Sequence, residues 1–231
     1  MNTIIILNIL CEGQTEEQFV KEVLKPYLRD AGIIVKHRLL ITSKKNNACG
    51  GIISYQQVKR DLSLWINEIA RRQGERHYFT TMFDLYALPE DFPGYSISIN
   101  IPNAYNQVQN IEAYFLKDIQ HDRFIPYIQL HEFEALLFCD IDKLKNYYPK
   151  SSKHLDKLKE VLSEYKNNPE LINNSPQTAP SKRIIKAIED GGYNYNKPRS
   201  GASVTKSIGI NNLMAMCKHF KEWINKLKDI N

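Results

Sequence analysis

The chain has 231 residues, 42% of them hydrophobic and 25% charged, the composition of an ordinary globular protein with one large domain. Its four cysteines (Cys11, Cys49, Cys139, Cys217) stand far apart in sequence with no CxxC or CxxH pair, which argues against a zinc site or disulfide framework and fits reduced thiols in the cytoplasm. A net charge of +5 permits nucleic-acid binding without requiring it, and the apolar run Thr3 to Leu10 is too short for a signal peptide or a membrane span.

Ile4 to Leu10 is a β-branched run of the kind that forms a buried parallel strand, and it ends at Cys11-Glu12-Gly13. Thr15 with Gln18 has the spacing of a capping box, and Phe19, Val20, Val23, Leu24, Tyr27 and Leu28 follow at helical spacing. Residues 15–31 therefore read as an amphipathic helix stopped at Gly32. A second strand is expected over 33–41, a loop over 46–51, and a second helix over 54–73 on Val58, Leu62, Trp65, Ile66 and Ile69. Residues 78–83 form a third strand ending on Asp84, and Pro89 and Pro93 then enforce a loop. A third helix is expected at 103–118, a fourth strand at 124–130, and a further helix opening near His131.

Strands alternating with helices imply parallel βαβ units, so the fold class is α/β with a mainly parallel central sheet flanked by helices. Beyond residue 140 the strand signals stop. Helices are expected around 155–165, 181–190 and 211–228, with NKPRSGAS (196–203) as a loop between the last two. This gives an α/β core over 1–140 and a helical extension over 141–231 packed on it.

Sites in parallel sheets form beyond the carboxyl ends of the strands. The first strand delivers Glu12, with Glu16 one helical turn later; the third delivers Asp84; the fourth delivers His131, Glu132 and Glu134. Carboxylates this close repel and raise one another's pKa unless a cation neutralises them, and hard oxygen donors suit Mg2+ or Mn2+. Blander roles compete at each position: Glu16 favoured by the helix dipole, Asp84 as a turn-former, His131 and Glu132 as helix caps, Glu134 on a solvated face.

Glu12-Gly13-Gln14-Thr15-Glu16, EGQTE, resembles the EGxTE motif that opens the TOPRIM domain of the overcoming-lysogenization-defect nucleases. The ordered set CEGQTEEQF (11–19), MFDLYALPEDFPG (82–94), LHEFEALLF (130–138), TAPSKRI (178–184) and IGI…CKHFKEW (208–223) resembles more closely an uncharacterised bacterial family of TOPRIM-like proteins linked with phage defence. The resemblance implies a TOPRIM-like core and a metal-dependent nuclease or phosphodiesterase acting on DNA or RNA with Mg2+ or Mn2+. It makes Glu12 a general acid/base or metal ligand, Glu16 a second ligand, and Asp84 the first acid of a DxD motif. The second DxD position is Tyr86, so Glu132 or Glu134 is the candidate replacement ligand. Lys182 is the expected phosphate-stabilising cation, with Arg183 and Lys206 beside it in that role and Arg199 and Lys197 as contacts to backbone phosphates. No GxxxxGK[ST] occurs, so any regulating ATPase is a separate polypeptide, and a homodimer is a family expectation. The alternative is a non-catalytic TOPRIM-like module that binds nucleic acid or a partner protein.

Overall fold

The computed structural model describes residues 3–43, 48–49, 51–70, 74–172 and 178–230. A parallel sheet runs through it in the order β2 (Ile34–Leu39), β1 (Ile4–Cys11), β5 (Glu75–Asp84), β6 (Phe124–Ile125), with β7 (Ile128–Gln129) also paired to β5. A short antiparallel ribbon, β3 (Ile41–Ser43) with β4 (Ala48–Cys49), lies apart from it. The loop expected over 46–51 falls partly outside the described residues.

β1 is central and pairs with β2 on one side and β5 on the other, which is why it reads as an unbroken apolar run. Its alternate residues serve opposite faces. Ile5, Leu7, Ile9 and Cys11 enter one hydrophobic cluster and Leu10 enters the other. A fully buried Leu or Ile of this kind contributes about 1.5–3 kcal/mol.

On the first face lies a helical run comprising α1 (Gln14–Phe19), a π-turn over Val20–Leu24 and α2 (Lys25–Arg29). Gly32 terminates it at φ 77°, as its sequence position suggests. The cap differs from the sequence expectation. Gly13, not Thr15, occupies the N-cap, and the Gly13 N–H donates to Glu16 Oε2 at 2.9 Å. The cap therefore sits two residues earlier, and Thr15 is freed to be buried.

On the second face pack α3 (Tyr55–Ile69) and α5 (Ala104–Ile119), through Val58, Leu62, Trp65, Val108, Ile111 and Phe115. The short α4 (Tyr95–Ser98) precedes α5. The strand expected over 124–130 is two fragments, because Pro126 between them has no N–H for the ladder. A 3-10 helix over Phe133–Asp140 follows in place of an α-helix.

The remaining helices are α6 (Ile141–Tyr147), α7 (Ser152–Glu164), α8 (Pro180–Glu189), α9 (Lys197–Ile208), α10 (Ile210–Met216) and α11 (Lys218–Lys228). Their buried residues Leu144, Leu155, Ile184, Val204, Leu213 and Trp223 belong to the same hydrophobic cluster as β1 and α1. Trp223 Nε1 donates to Thr80 Oγ1 in β5 at 2.9 Å, and its ring stacks on Tyr127 with centroids 4.0 Å apart. Cys139 and Cys217, remote in sequence, bring their sulfurs to 3.4 Å.

The segment expected to be a loop, NKPRSGAS, is instead the first half of α9. Asn196 caps it by accepting from the Arg199 N–H at 3.2 Å, and Pro198 fits the first turn, where no N–H partner is needed. A Cβ at Gly201 would come within 3.0 Å of Phe133 Cε1 and 3.1 Å of Thr15 Cγ2. Glycine there lets α9 lie close against α1 and the 3-10 helix.

Candidate functional site

The parallel register sets the site. Cys11 pairs with Met82, and the Glu12 N–H donates to the Met82 carbonyl at 3.1 Å, so Glu12 leaves β1 level with the end of β5. Asp84 pairs with Gln129 of β7, which places Leu130 to Glu134 next in line. Three neighbouring strand ends thus deliver Glu12, Asp84 and the segment Glu132–Glu134 to one place.

Backbone amides hold these carboxylates. Glu12 Oε2 accepts from the Asp84 N–H at 2.9 Å, and Asp84 Oδ1 accepts from the Phe133 N–H at 2.9 Å. Glu16 Oε2 accepts from Gly13, where a Cβ would sit only 3.1 Å from that oxygen. Each bond fixes an orientation and leaves further oxygen lone pairs free for another partner.

The charge balance is unfavourable as it stands. Burial, then the charge of Glu16, pushes the Glu12 carboxyl from the usual 4.5 up to about 8. Burial raises Glu16 to about 7, with the charge of Glu134 adding to it. Asp84 is raised well above its ordinary value by burial and by Glu12, Glu16, Glu134 and Glu132. Glu134, almost fully buried, is raised by burial and relieved by Lys197, whose Nζ lies 3.3 Å from Glu134 Oε1. The Lys197 ammonium is raised in turn, chiefly by Glu134, against the opposing effect of burial. Among the described residues, Lys197 is the cation that offsets these four carboxylates.

Glu132 stands somewhat apart. Its two oxygens accept from the Ser181 N–H at 2.9 Å and the Ser181 hydroxyl at 3.1 Å, so it anchors the first turn of α8. His131 has φ 62°, is buried, and is driven down to about 4 by that burial. Its carbonyl accepts from the Tyr86 N–H at 3.2 Å, and its ring lies 5.4 Å from that of Tyr86. Tyr86 thus fills the second DxD position with an aromatic contact.

Of the cations singled out in the sequence, Lys197 alone is seen against the acids, and the expectation that it lay in a loop hid this. Lys182 is exposed on α8, and Lys206 and Arg199 are exposed on α9. Arg183 donates from Nε to the Thr178 carbonyl at 2.7 Å, which ties down the approach to α8. Asp91, a neighbour in the 82–94 segment, accepts from the Tyr55 N–H at 3.0 Å and caps α3.

No three His, Cys, Asp or Glu side chains among the described residues stand close enough together to hold a metal ion as placed. The donor set nevertheless fits one. Glu12, Glu16, Asp84 and Glu134 offer hard oxygens raised first by burial, and at Glu12, Glu16 and Asp84 also by neighbouring carboxylates, the signature of acids short of positive charge.

The sequence family described as a domain of unknown function (DUF4276) matches residues 11–228. No curated protein matches the chain. Among solved structures, the C-terminal region of the Burkholderia pseudomallei OLD protein is similar, with 14% identity and a TM-score of 0.42 over 100% of this chain and 99% of that one. The C-terminal region of the Xanthomonas campestris pv. campestris OLD protein is similar with 12% identity and a TM-score of 0.37, over 97% of this chain and 94% of that one.

Proposed function

The chain belongs to the DUF4276 family, and from that premise we propose that it is a Mg2+- or Mn2+-dependent phosphodiesterase that cleaves DNA or RNA, acting in defence against foreign nucleic acid. One observation carries the proposal: Glu12, Asp84 and Glu134 gather beyond the ends of neighbouring strands with Glu16 beside them, oriented by backbone amides and buried with a single ammonium, that of Lys197, seen against them among the described residues. A purely structural cluster would be stabler with amides or apolar groups in their place.

When bound, a divalent ion supplies charge neutralisation at the phosphate and activation of water. Glu16, Asp84 and Glu134 are the residues that would hold it, with Glu12 beside them. Glu12, held by the Asp84 N–H with oxygen lone pairs to spare, is the carboxylate that would take or return a proton during attack on phosphorus. The amides of Gly13 and Phe133 keep Glu16 and Asp84 from rotating away. Lys197, with its Nζ 3.3 Å from Glu134, would meet negative charge developing on the phosphate, the part that sequence reasoning gave to Lys182.

The test is incubation of the protein with supercoiled plasmid, single-stranded DNA and mixed RNA in manganese, magnesium or EDTA, beside Glu12→Ala. Metal-dependent cleavage that disappears in the variant supports the proposal. Absence of both cleavage and any metal-induced rise in melting temperature refutes it.

A second reading, a non-catalytic module that binds nucleic acid or a partner, is favoured by Tyr86. The missing acid is replaced by a ring packed against His131, which a relic site would tolerate.

A further inference from the structure

Beside the acidic cluster lies a cleft of about 530 Å³, of whose lining the reaction outlined above uses only Lys197. One wall is a stripe of the first helical run where Gln14, exposed, and Gln18 and Glu22, half-buried, recur every four residues. The other wall is the start of α9, from Tyr195 to Arg199. Gly201 permits the close approach of α9 to Thr15 that brings the two walls together. Lys197 connects cleft and cluster, since it lines the one and lies 3.3 Å from Glu134 in the other.

The lining is specific in chemistry. Lys197 and Arg199 are cationic, and Arg199 is exposed. Gln14, Gln18 and Asn196 carry side-chain amides, of which the Asn196 oxygen already caps α9. The Tyr195 hydroxyl is buried and has no hydrogen-bond partner among the described residues. Glu22 is the single acid in the lining, so an anion is favoured toward the Lys197 and Arg199 side. The wider charge distribution agrees. Residues 141–231 hold 17 Lys and Arg against nine Asp and Glu, whereas residues 1–140 hold 14 against 17, so the excess positive charge lies on the part that contributes α9.

The geometry points to this cleft as the seat of an unpaired nucleotide of a single-stranded DNA or RNA, held beside the acidic cluster. The inference rests on the nucleic-acid reading of the site. Its volume falls in the range of small-ligand clefts, about 300–1,000 Å³, and so admits a splayed-out nucleotide. A duplex keeps its bases paired and stacked, and only its backbone would reach the rim. Phosphate meets Arg199 and Lys197, and base edges meet the paired donors and acceptors of Gln14 and Gln18.

Fluorescence anisotropy in EDTA, where cleavage cannot proceed, tests this with end-labelled short single-stranded DNA, single-stranded RNA and the matched duplex. Single strands are expected to bind more tightly than duplex. Arg199→Ala should weaken single-strand binding by about five- to tenfold and lower its salt dependence by about one phosphate contact. Gln18→Ala should weaken it by about two- to fivefold while leaving duplex binding unchanged. Neither side chain supports the core, so unchanged melting curves will show that both variants are folded. Equal affinity for duplex and single strand, or single-strand binding insensitive to both substitutions, overturns the inference. Displacement of the strand by a mononucleotide at equal concentration also overturns it, because the ligand would then be the small molecule. Failure of the catalytic proposal looks different: no metal-dependent cleavage and no metal-induced thermal shift, with the effects of Arg199→Ala and Gln18→Ala intact.

Discussion

Glu12→Gln in the metal-free protein probes whether the acidic cluster is held together against its own charge. In the fold this carboxyl is raised from 4.5 to about 8 by burial and by Glu16. The folded state therefore binds its proton more tightly than the unfolded chain does. The resulting stability is fully present below about pH 4.5, declines as the pH rises, and is gone above about pH 8. Each pH unit in that window is worth about 1.4 kcal/mol, which gives about 3 kcal/mol lost by neutral pH. Glu12 shares this titration with Glu16 and Asp84, so only a part of it, about 2 kcal/mol, falls to Glu12 itself. For a chain of this length, that corresponds to a fall in Tm of roughly 4–8 °C between about pH 5 and neutrality. Glutamine keeps an oxygen that can accept from the Asp84 N–H and removes the charge. Scanning calorimetry in EDTA should therefore find Glu12→Gln more stable than wild type at neutral pH and nearly equal to it at about pH 5. Asp84 is relieved of the Glu12 charge in the variant, which widens the gap at neutral pH. Adding manganese should raise wild type more than the variant. A variant that melts lower than wild type at neutral pH, with no pH-dependent gap between them, would refute the charge argument.

Lys197→Met leaves the buried Glu134 without its ion pair, and urea unfolding at neutral pH should show a loss of about 2 kcal/mol, less than a fully buried pair would cost because Lys197 is 41% exposed. Gly201→Val drives a branched side chain into Phe133 and Thr15 and should cost about 1–3 kcal/mol by the same measurement; an unchanged midpoint would mean that α9 does not sit against α1 as described. Asp84→Asn can still accept from the Phe133 N–H, so its circular dichroism should match wild type while metal-dependent cleavage falls by about a hundredfold; retained cleavage would remove Asp84 from the chemistry.

The parallel core was legible because its signals are local. The Ile4–Leu10 run, the helical period from Phe19 to Leu28 and the Val58–Ile69 stripe each match one element, and the strand-end rule then placed Glu12, Asp84 and Glu134 together. What failed depended on tertiary contact. NKPRSGAS has the composition of a loop, and the fit of Gly201 against Thr15 and Phe133, which lets it pack as a helix, is not visible in sequence. With α9 misread, the cation opposite Glu134 could not be seen, and Lys182 took its place in the sequence argument. An Asn followed two residues on by Pro, the pattern of Asn196 and Pro198, was the available signal for a helix start. Pro126 was the equivalent signal that the fourth strand would break.

The bond from Trp223 to Thr80, together with the shared core of β1 and the late helices, has a bearing on synthesis. A chain leaves the ribosome from its N-terminus, so Glu12, Glu16, Asp84 and Glu134 emerge long before Lys197 and Trp223. Until residues around 197–224 have been translated, the face of β1 that α1 and α2 cover lacks the rest of its cluster and the acidic residues lack their ammonium. Maturation of the site is thereby coupled to synthesis of α9 and α11, and a nascent fragment that already carries every acidic side chain still lacks the ammonium that offsets Glu134.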